Sequence, residues 1–415
     1  MSKYLYVCLV AFSLCLCGQA YGAGREDGPT SPASAFDDDV AFLKKYGDVI
    51  VLKAPTGQSR VAVMPTLQGR VMTSTAGSPS KLSYGWINRP LFEAGEISPH
   101  TNAFGGEERI WLGPEGGQYS IFFAAGSEFT RANWYTPKLI DVDTWDVAAQ
   151  TEQSVLFTKE ATLTNYSGST FQIQLKREVR VLDNQAALGA LGVPDDSRLT
   201  SVAYQTVNDL YNAGQEPWDR KTGLLMIWLL GRFNPSPHTT IVVPFEAGSV
   251  EQLGPVVDDD YYSKVPVDRL KVADGTVFFR GDGDHRSKIG MTAQRAKGVV
   301  GSFDASNRTL TIIKYTTGLP GDLYVNQKWE VQDLPYSDGD VVNAYNGGPS
   351  ASGARTVAPF YELESSSPAR ELKPGERMRY IQTTSHFQGD TLALDELAKA
   401  ALGVSIEQIT KALGD

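Results

Sequence analysis

The stretch Thr170–Leu182, TFQIQLKREVRVL, alternates apolar and polar residues without a break. Successive side chains of a strand point to opposite faces, whereas a helix repeats its apolar positions every three or four residues. The pattern therefore fits a half-buried strand and not an amphipathic helix. The same period of two returns in DVIVLK, RVAVMPTL, RVMTSTA and SVLFTKEATLTNY. Further strand candidates are TIVVPF, GTVFFR, KIGMTA, GVVGSF, TLTIIKYTT, DLYVNQKWEVQ, FYELESS and RMRYIQTTSHF, and YSIFF at 119–123 is strand-like. Turn clusters such as NYSGST, GDGD, DASNRT and TGLPGD separate them. The pattern runs on with no composition break, which predicts an all-β fold: one large antiparallel sandwich over residues 34–415. GLLMIWLLG is nearly all apolar and reads as a strand covered on both faces. No fixed-period repeat points to a propeller.

Helices are expected only at the margins. Ser34 is placed to cap a short helix over Phe36–Tyr46, with Asp37–Asp39 at its favourable N-terminal end. Asp390–Leu402 and Ser405–Leu413 have helical spacing, Ser405 and Gln408 fit a capping box, and the apolar stripes predict packing on the sandwich.

The start of the chain reads as a secretory signal over residues 1–23. Lys3 is followed by an apolar run, Leu5–Leu16, and then by the small residues Gly18, Ala20, Gly22 and Ala23. A lipid anchor at Cys17 is disfavoured by the bulky Leu16 before it. Residues 24–33 read as a flexible leader. All 3 cysteines lie in the signal, so an exported mature chain holds no disulfide, thiolate metal site or cysteine nucleophile. Loss of Lys3 takes the formal charge from -10 to -11 (-10 minus one). An acidic chain without a basic block argues against nucleic acid, and no later apolar stretch is long enough to span a membrane. Periplasmic or extracellular residence is the expectation.

Chemistry is densest in His100–Phe123, HTNAFGGEERIWLGPEGGQYSIFF. His100, Asn102, Glu107, Arg109, Trp111, Glu115 and Gln118 crowd around two Gly-Gly pairs, offering hydrogen-bond partners and a flat apolar ring, as sugar sites do. Asn343, Tyr345 and Asn346 sit in VVNAYNGGP, read as a Gly-Pro-rich loop. Asn208 belongs to an aromatic-amide stretch with Tyr204, Tyr211 and Trp218, and His386 lies in the last strand candidate. Asp258–Asp260 and the GDGD turn lack the EF-hand pattern and read as exposed acidic turns. No nucleotide loop, GxSxG elbow or HExxH motif is present, so no cofactor or metal is expected.

The segments PHTNAFGGEERIWLGPEGGQYSIFF, WDRKTGLLMIWLLGRFNPSPHTTIVVPF, GDGDHRSKIG, DVVNAYNGGP and PFYELESSSPA resemble an uncharacterised family of exported bacterial proteins. That family looks like a branch of the galactose mutarotase-like superfamily, and the resemblance covers roughly residues 35–415. It implies a β-supersandwich with a carbohydrate site on the concave face of the larger sheet. It also implies a base glutamate on the ELESSSP strand, where Glu362 and Glu364 both match and, being two apart, share a face. The histidine pair typical of aldose epimerases is not visible as a motif. The reading is a carbohydrate-active protein: a mutarotase-like isomerase with Glu362 or Glu364 as base, His100 as acid or orienter, and Arg109, Asn102 and Trp111 on the substrate. A lyase or hydrolase acting on uronic glycans and a non-catalytic sugar-binding protein are the alternatives.

Overall fold

A computed structural model describes residues 35–77, 81–350 and 359–414. The expected signal, leader and Ser34 lie outside them. Eighteen strands run in chain order: β1 (Ile50–Lys53), β2 (Arg60–Met64), β3 (Arg70–Thr75), β4 (Arg109–Gly113), β5 (Asp146–Gln150), β6 (Ser154–Thr164), β7 (Thr170–Leu182), β8 (Leu199–Asn212) and β9 (Met226–Phe233). They continue as β10 (Thr239–Pro244), β11 (Leu270–Ala273), β12 (Thr276–Arg280), β13 (Ser287–Thr292), β14 (Val299–Asp304), β15 (Thr309–Tyr315), β16 (Asp340–Gly347), β17 (Phe360–Ser366) and β18 (Arg377–Gly389).

Three antiparallel sheets result: β1-β2-β3, a ten-stranded sheet β11-β12-β10-β14-β15-β18-β8-β7-β6-β5, and a five-stranded sheet β13-β16-β17-β9-β4. The all-β, antiparallel sandwich expected from the period-two pattern is what forms. In β7 the inward positions are Phe171, Ile173, Leu175, Arg177, Val179 and Val181, with their neighbours toward solvent. β9 is buried along its whole length, as its apolar run requires.

The ten-stranded and five-stranded sheets share one core. Ile110, Leu112, Ile227, Leu229, Ile289, Ala344 and Leu363 of the smaller sheet cluster with Ile173, Val179, Val300 and Ile313 of the larger. Polar contacts cross the same gap: Ser365 Oγ donates to Gln382 Oε1 at 2.6 Å, and Ser302 Oγ lies 2.9 Å from Tyr361 Oη. The helices Thr391–Leu402 and Ile406–Lys411 join a second cluster through Leu394, Leu397 and Ile409, against Val242, Phe278 and Ile312 of the ten-stranded sheet. Ser405 and Gln408 form the expected capping box.

Four local expectations fail. YSIFF and DLYVNQKWEVQ are loops, because their hydrophobes turn to pack on each other: Phe123 meets Trp329 at 5.1 Å. VVNAYNGGP is not a loop but β16, paired on both edges by β13 and β17. The first helix covers Phe36–Leu43 and takes Ala35 as its N-cap with no side-chain bond, the acidic first turn meeting the helix dipole. No helix among the described residues is long and apolar enough to cross a membrane.

Leu363 is fully buried between the two sheets, next to both glutamates of β17. Leu363→Ala is expected to cost about 2–5 kcal/mol of stability by urea unfolding; a loss under about 1 kcal/mol would contradict this packing.

Candidate functional site

Strand alternation that sends Leu363 inward sends Glu362 and Glu364 to the other face of the five-stranded sheet. Register then builds rows across that face. Lys288, Tyr345, Glu362 and Arg232 are successive neighbours in one row. Asn343, Glu364, Leu230 and Arg109 form the next, and Ser366, Trp228 and Trp111 a third. A sheet face with seven charged or indole side chains from four strands is unlike an ordinary core or an ordinary wet face.

Glu362 is the hub. Arg109 Nη2 and Arg232 Nε both donate to its Oε1, at 2.8 and 2.6 Å. No protein donor of the described residues reaches its Oε2. Burial pushes this carboxyl up, but Arg232 and Arg109, helped by Lys288, overcome it and hold it below the usual carboxylate range. Glu364 lies deeper. Lys288 Nζ donates to both its oxygens at 3.2 and 3.0 Å, and Trp228 Nε1 donates to Oε2 at 3.0 Å. Burial raises Glu364, Lys288 opposes the rise, and the charge of Glu362 adds to it; the balance leaves Glu364 above its ordinary range. Two carboxyls two residues apart are thus driven in opposite directions, which is how one site obtains both an ionised and a protonatable acid.

Loops from 114–137 and 320–338 wall this face with aromatic rings. Trp111 packs edge-on to Trp228 at 5.5 Å and tilts on Trp134 at 6.2 Å, and Trp134 stacks on Trp329 at 6.1 Å. Gly116 lets the two loops meet, since a Cβ there would strike the carbonyl of Lys328. Glu115 is held in this wall, its backbone N–H donating to Gln327 Oε1 at 3.2 Å. Burial raises its carboxyl, Lys288 opposes and Glu364 reinforces the rise. Glu115 itself has no ion-pair partner among the described residues. Trp134 and Trp329 turn their indole N–H groups toward the Glu115 carboxyl, while three other buried donors here lack a protein acceptor among the described residues: Arg109 Nε, Arg232 Nη1 and Trp111 Nε1. Orphaned buried donors are costly, and a group of them on one sheet face marks a place built to bond something other than the protein.

The residues singled out from sequence divide between two faces of the small sheet. Arg109, Trp111, Glu115, Tyr345, Glu362 and Glu364 come together. His100 sits at the edge, its Nδ1 donating to Trp134 O at 2.8 Å and its ring stacked on Tyr135 at 4.3 Å. Asn102 ties a loop by donating to Asp141 at 2.8 Å. Gln118 exchanges hydrogen bonds with Gln332, and Asn346 holds the 282–285 turn. Glu107, Asn208 and His386 lie between the sheets: Glu107 takes hydrogen bonds from Ser74 and His386, and Asn208 accepts from Arg177, which also pairs with Glu108. Buried charge gathers in two places: on the outward face of the smaller sheet, and against the larger sheet, where Arg177 pairs with Glu108, Gln382 donates to Glu108 and His386 meets Glu107. Sequence reading missed Lys288, Trp228 and Arg232. The last two were hidden in an apolar run, although their spacing at 228, 230 and 232 is in phase with one strand face.

Two cavities lie elsewhere. One of about 270 Å³ is lined by Ala293, Gln294, Tyr324 and the 317–322 turn. A water-sized one of about 40 Å³ opens beside Tyr84, Thr311 and His386. Among the described residues no group of three His, Cys, Asp or Glu side chains is placed to hold a metal.

A model for a family of unknown function, DUF6786, matches residues 34–413. The chain belongs to that family. No curated protein matches it. Several solved structures are similar to this DUF6786 protein in fold. One, from Escherichia coli K12 and named as an aldose 1-epimerase candidate, is 12% identical with TM-score 0.48, over 83% of this chain and 99% of its own. The Slr1438 protein of Synechocystis is 11% identical with TM-score 0.49, over 83% and 96%. A galactose mutarotase-like protein of Lactobacillus casei is 11% identical with TM-score 0.45, over 82% and 100%. These likenesses concern the path of the chain, and the chemistry rests on the side chains above.

Lys288→Met strips the cation from a buried carboxylate, at an expected cost of about 3–5 kcal/mol near neutral pH. Because Glu364 is raised in the folded state, folding takes up its proton, so the variant's stability should be lost as pH rises through the folded pKa and recover below the unfolded value. Urea unfolding at pH 5 and pH 8 should show the larger deficit at pH 8. Equal deficits would contradict the assignment.

Proposed function

We propose that the outward face of the five-stranded sheet is the site of a carbohydrate-active enzyme that interconverts sugar anomers by general acid–base catalysis. The observation that carries this reading is a carboxylate kept ionised, with one free oxygen, on a sheet face that also holds carboxyls kept protonatable and is walled by indoles. Ring opening needs a base to take the anomeric hydroxyl proton and an acid to protonate the ring oxygen, with the roles reversed on closure.

Glu362 is assigned as base. Its Oε2 has no protein donor and its side chain is 7% exposed, against 1% for Glu364. Both oxygens of Glu364 are already engaged by Lys288 and Trp228. Reach decides before basicity does. The guanidiniums that lower the pKa of Glu362 cost it basic strength but keep it ionised wherever a sugar would meet it. Glu115 is assigned as acid, where the sequence pattern points to His100 as acid or orienter. No ion pair among the described residues locks it in the charged form, and burial outweighs Lys288 and the Trp134 and Trp329 hydrogen bonds to favour its protonated state. Trp111 brings an indole N–H without a protein acceptor to the site, a donor for a sugar hydroxyl. Glu364, with Lys288, positions the base strand. Export to the periplasm or beyond, read from the first residues, would bring such a site to extracellular sugars.

The test is exchange NMR of α/β interconversion across a panel of aldoses. Wild-type protein should accelerate at least one, and Glu362→Gln and Glu115→Gln should each lose roughly 10²–10⁴-fold. The rate should fall on the alkaline side as Glu115 ionises and persist into acid until Glu362 protonates. No acceleration of any sugar by wild-type protein would overturn the isomerase reading.

A further inference from the structure

Two cations at this face stand outside the ion-pair network. Glu362 is neutralised by Arg109 and Arg232, and Glu364 by Lys288. Arg131 and Arg286 pair with no carboxylate among the described residues. Each is instead spread over an aromatic ring. The Arg131 guanidinium lies 4.3 Å from the centre of Trp134, and that of Arg286 lies 3.9 Å from the centre of Tyr262. Trp134 belongs to the indole wall, and Arg286 is two residues before Lys288 and so in phase with it. The Nε–H of Arg286 is buried with no acceptor.

Aromatic faces fix a guanidinium's plane without using its hydrogen-bonding edge; Arg286 also bonds the Tyr262 and Tyr345 hydroxyls, and the donors left over on the two guanidiniums suit a planar anion. The groups also sense one another. Burial lowers the Arg131 pKa, Glu115 acts against that and Arg286 adds to it. Burial likewise lowers Arg286, but Tyr262 and Tyr345 more than offset it and keep the guanidinium charged. The carboxyl beside them, Glu115, is the one held toward its neutral form. When Glu115 carries its proton, two positive charges remain without an anion, in a chain whose formal net charge is -10. Neighbouring like charges repel, and a ligand anion between them relieves the repulsion.

We infer that Arg131 and Arg286 form a subsite for the anionic substituent of an acidic sugar bound at this face. This rests on the reading of the face as a sugar site, and goes beyond it in naming the substrate class. A carboxylate, as in a uronic acid, and a sulfate ester share the chemistry the two forks recognise.

Calorimetric titration of the full protein with D-glucuronate, D-glucose 6-sulfate and D-glucose tests it, at low and at physiological salt. At least one anionic sugar should bind roughly tenfold or more tighter than glucose, with the advantage shrinking as salt rises. Arg131→Gln combined with Arg286→Gln should abolish that advantage and leave glucose binding as it was, and Arg286→Lys should restore part of it. Glucose binding as tightly as both anions, or a preference that survives the double substitution, overturns the subsite and leaves the anomerisation reading standing. Binding of none of the three by wild-type protein, with no anomerisation, overturns both.

Discussion

The outward face of the small sheet depends on one interaction: a buried glutamate held between two arginines from neighbouring strands. Glu362 meets Arg232 directly across the β17–β9 pairing and Arg109 one strand further on. Taking three charges out of water is expensive, and only close, well-aimed hydrogen bonds offset the loss. The triad therefore penalises any other register. A slip of one residue would turn Glu362 and Glu364 into the apolar core and Leu363 out of it. The same contact that fixes the fold of β17 thus fixes where its second carboxyl points.

Chemistry follows from how unevenly the charge is shared. Two guanidiniums fall on one oxygen of Glu362 while one ammonium and one indole serve both oxygens of Glu364. The first carboxyl is driven down and the second up. Glu115, approached from the loop side, rises because burial outweighs the opposing charge of Lys288 and the hydrogen bonds of Trp134 and Trp329. The aromatic wall lowers the local polarity and strengthens every one of these effects. An ionised carboxylate with a free oxygen, a protonatable partner and the unbonded indole N–H of Trp111 are elements an acid–base sugar enzyme can use.

Much of the fold was legible because period-two alternation is a direct imprint of a sheet with one buried face, and the long strands β7 and β18 show it without interruption. β16 was misread because Asn343, Asn346 and two glycines look like turn chemistry, whereas Asn346 spends its amide on the 282–285 turn. DLYVNQKWEVQ was misread because its Trp329 has the spacing of a strand residue yet packs sideways on Phe123 and Trp134. At the site, Arg109, Trp111, Glu115, Tyr345, Glu362 and Glu364 could be chosen for their residue types. Their assembly could not, since Lys288, Arg232 and Trp228 sit among apolar neighbours and become partners only through register. Glu107 and Glu108, adjacent to Arg109 in sequence, face the opposite side of the sheet or lie beyond its edge, so sequence proximity alone grouped side chains that the backbone separates.

The central claim is that neighbouring carboxyls on this face are driven apart in acidity. Carbon-13 NMR titration of the glutamate side-chain carboxyls, with Glu115, Glu362 and Glu364 assigned by substitution, measures it directly. Glu362 should protonate below the ordinary carboxylate range, and Glu364 and Glu115 above it. Three carboxyls titrating together at ordinary glutamate values would contradict the account.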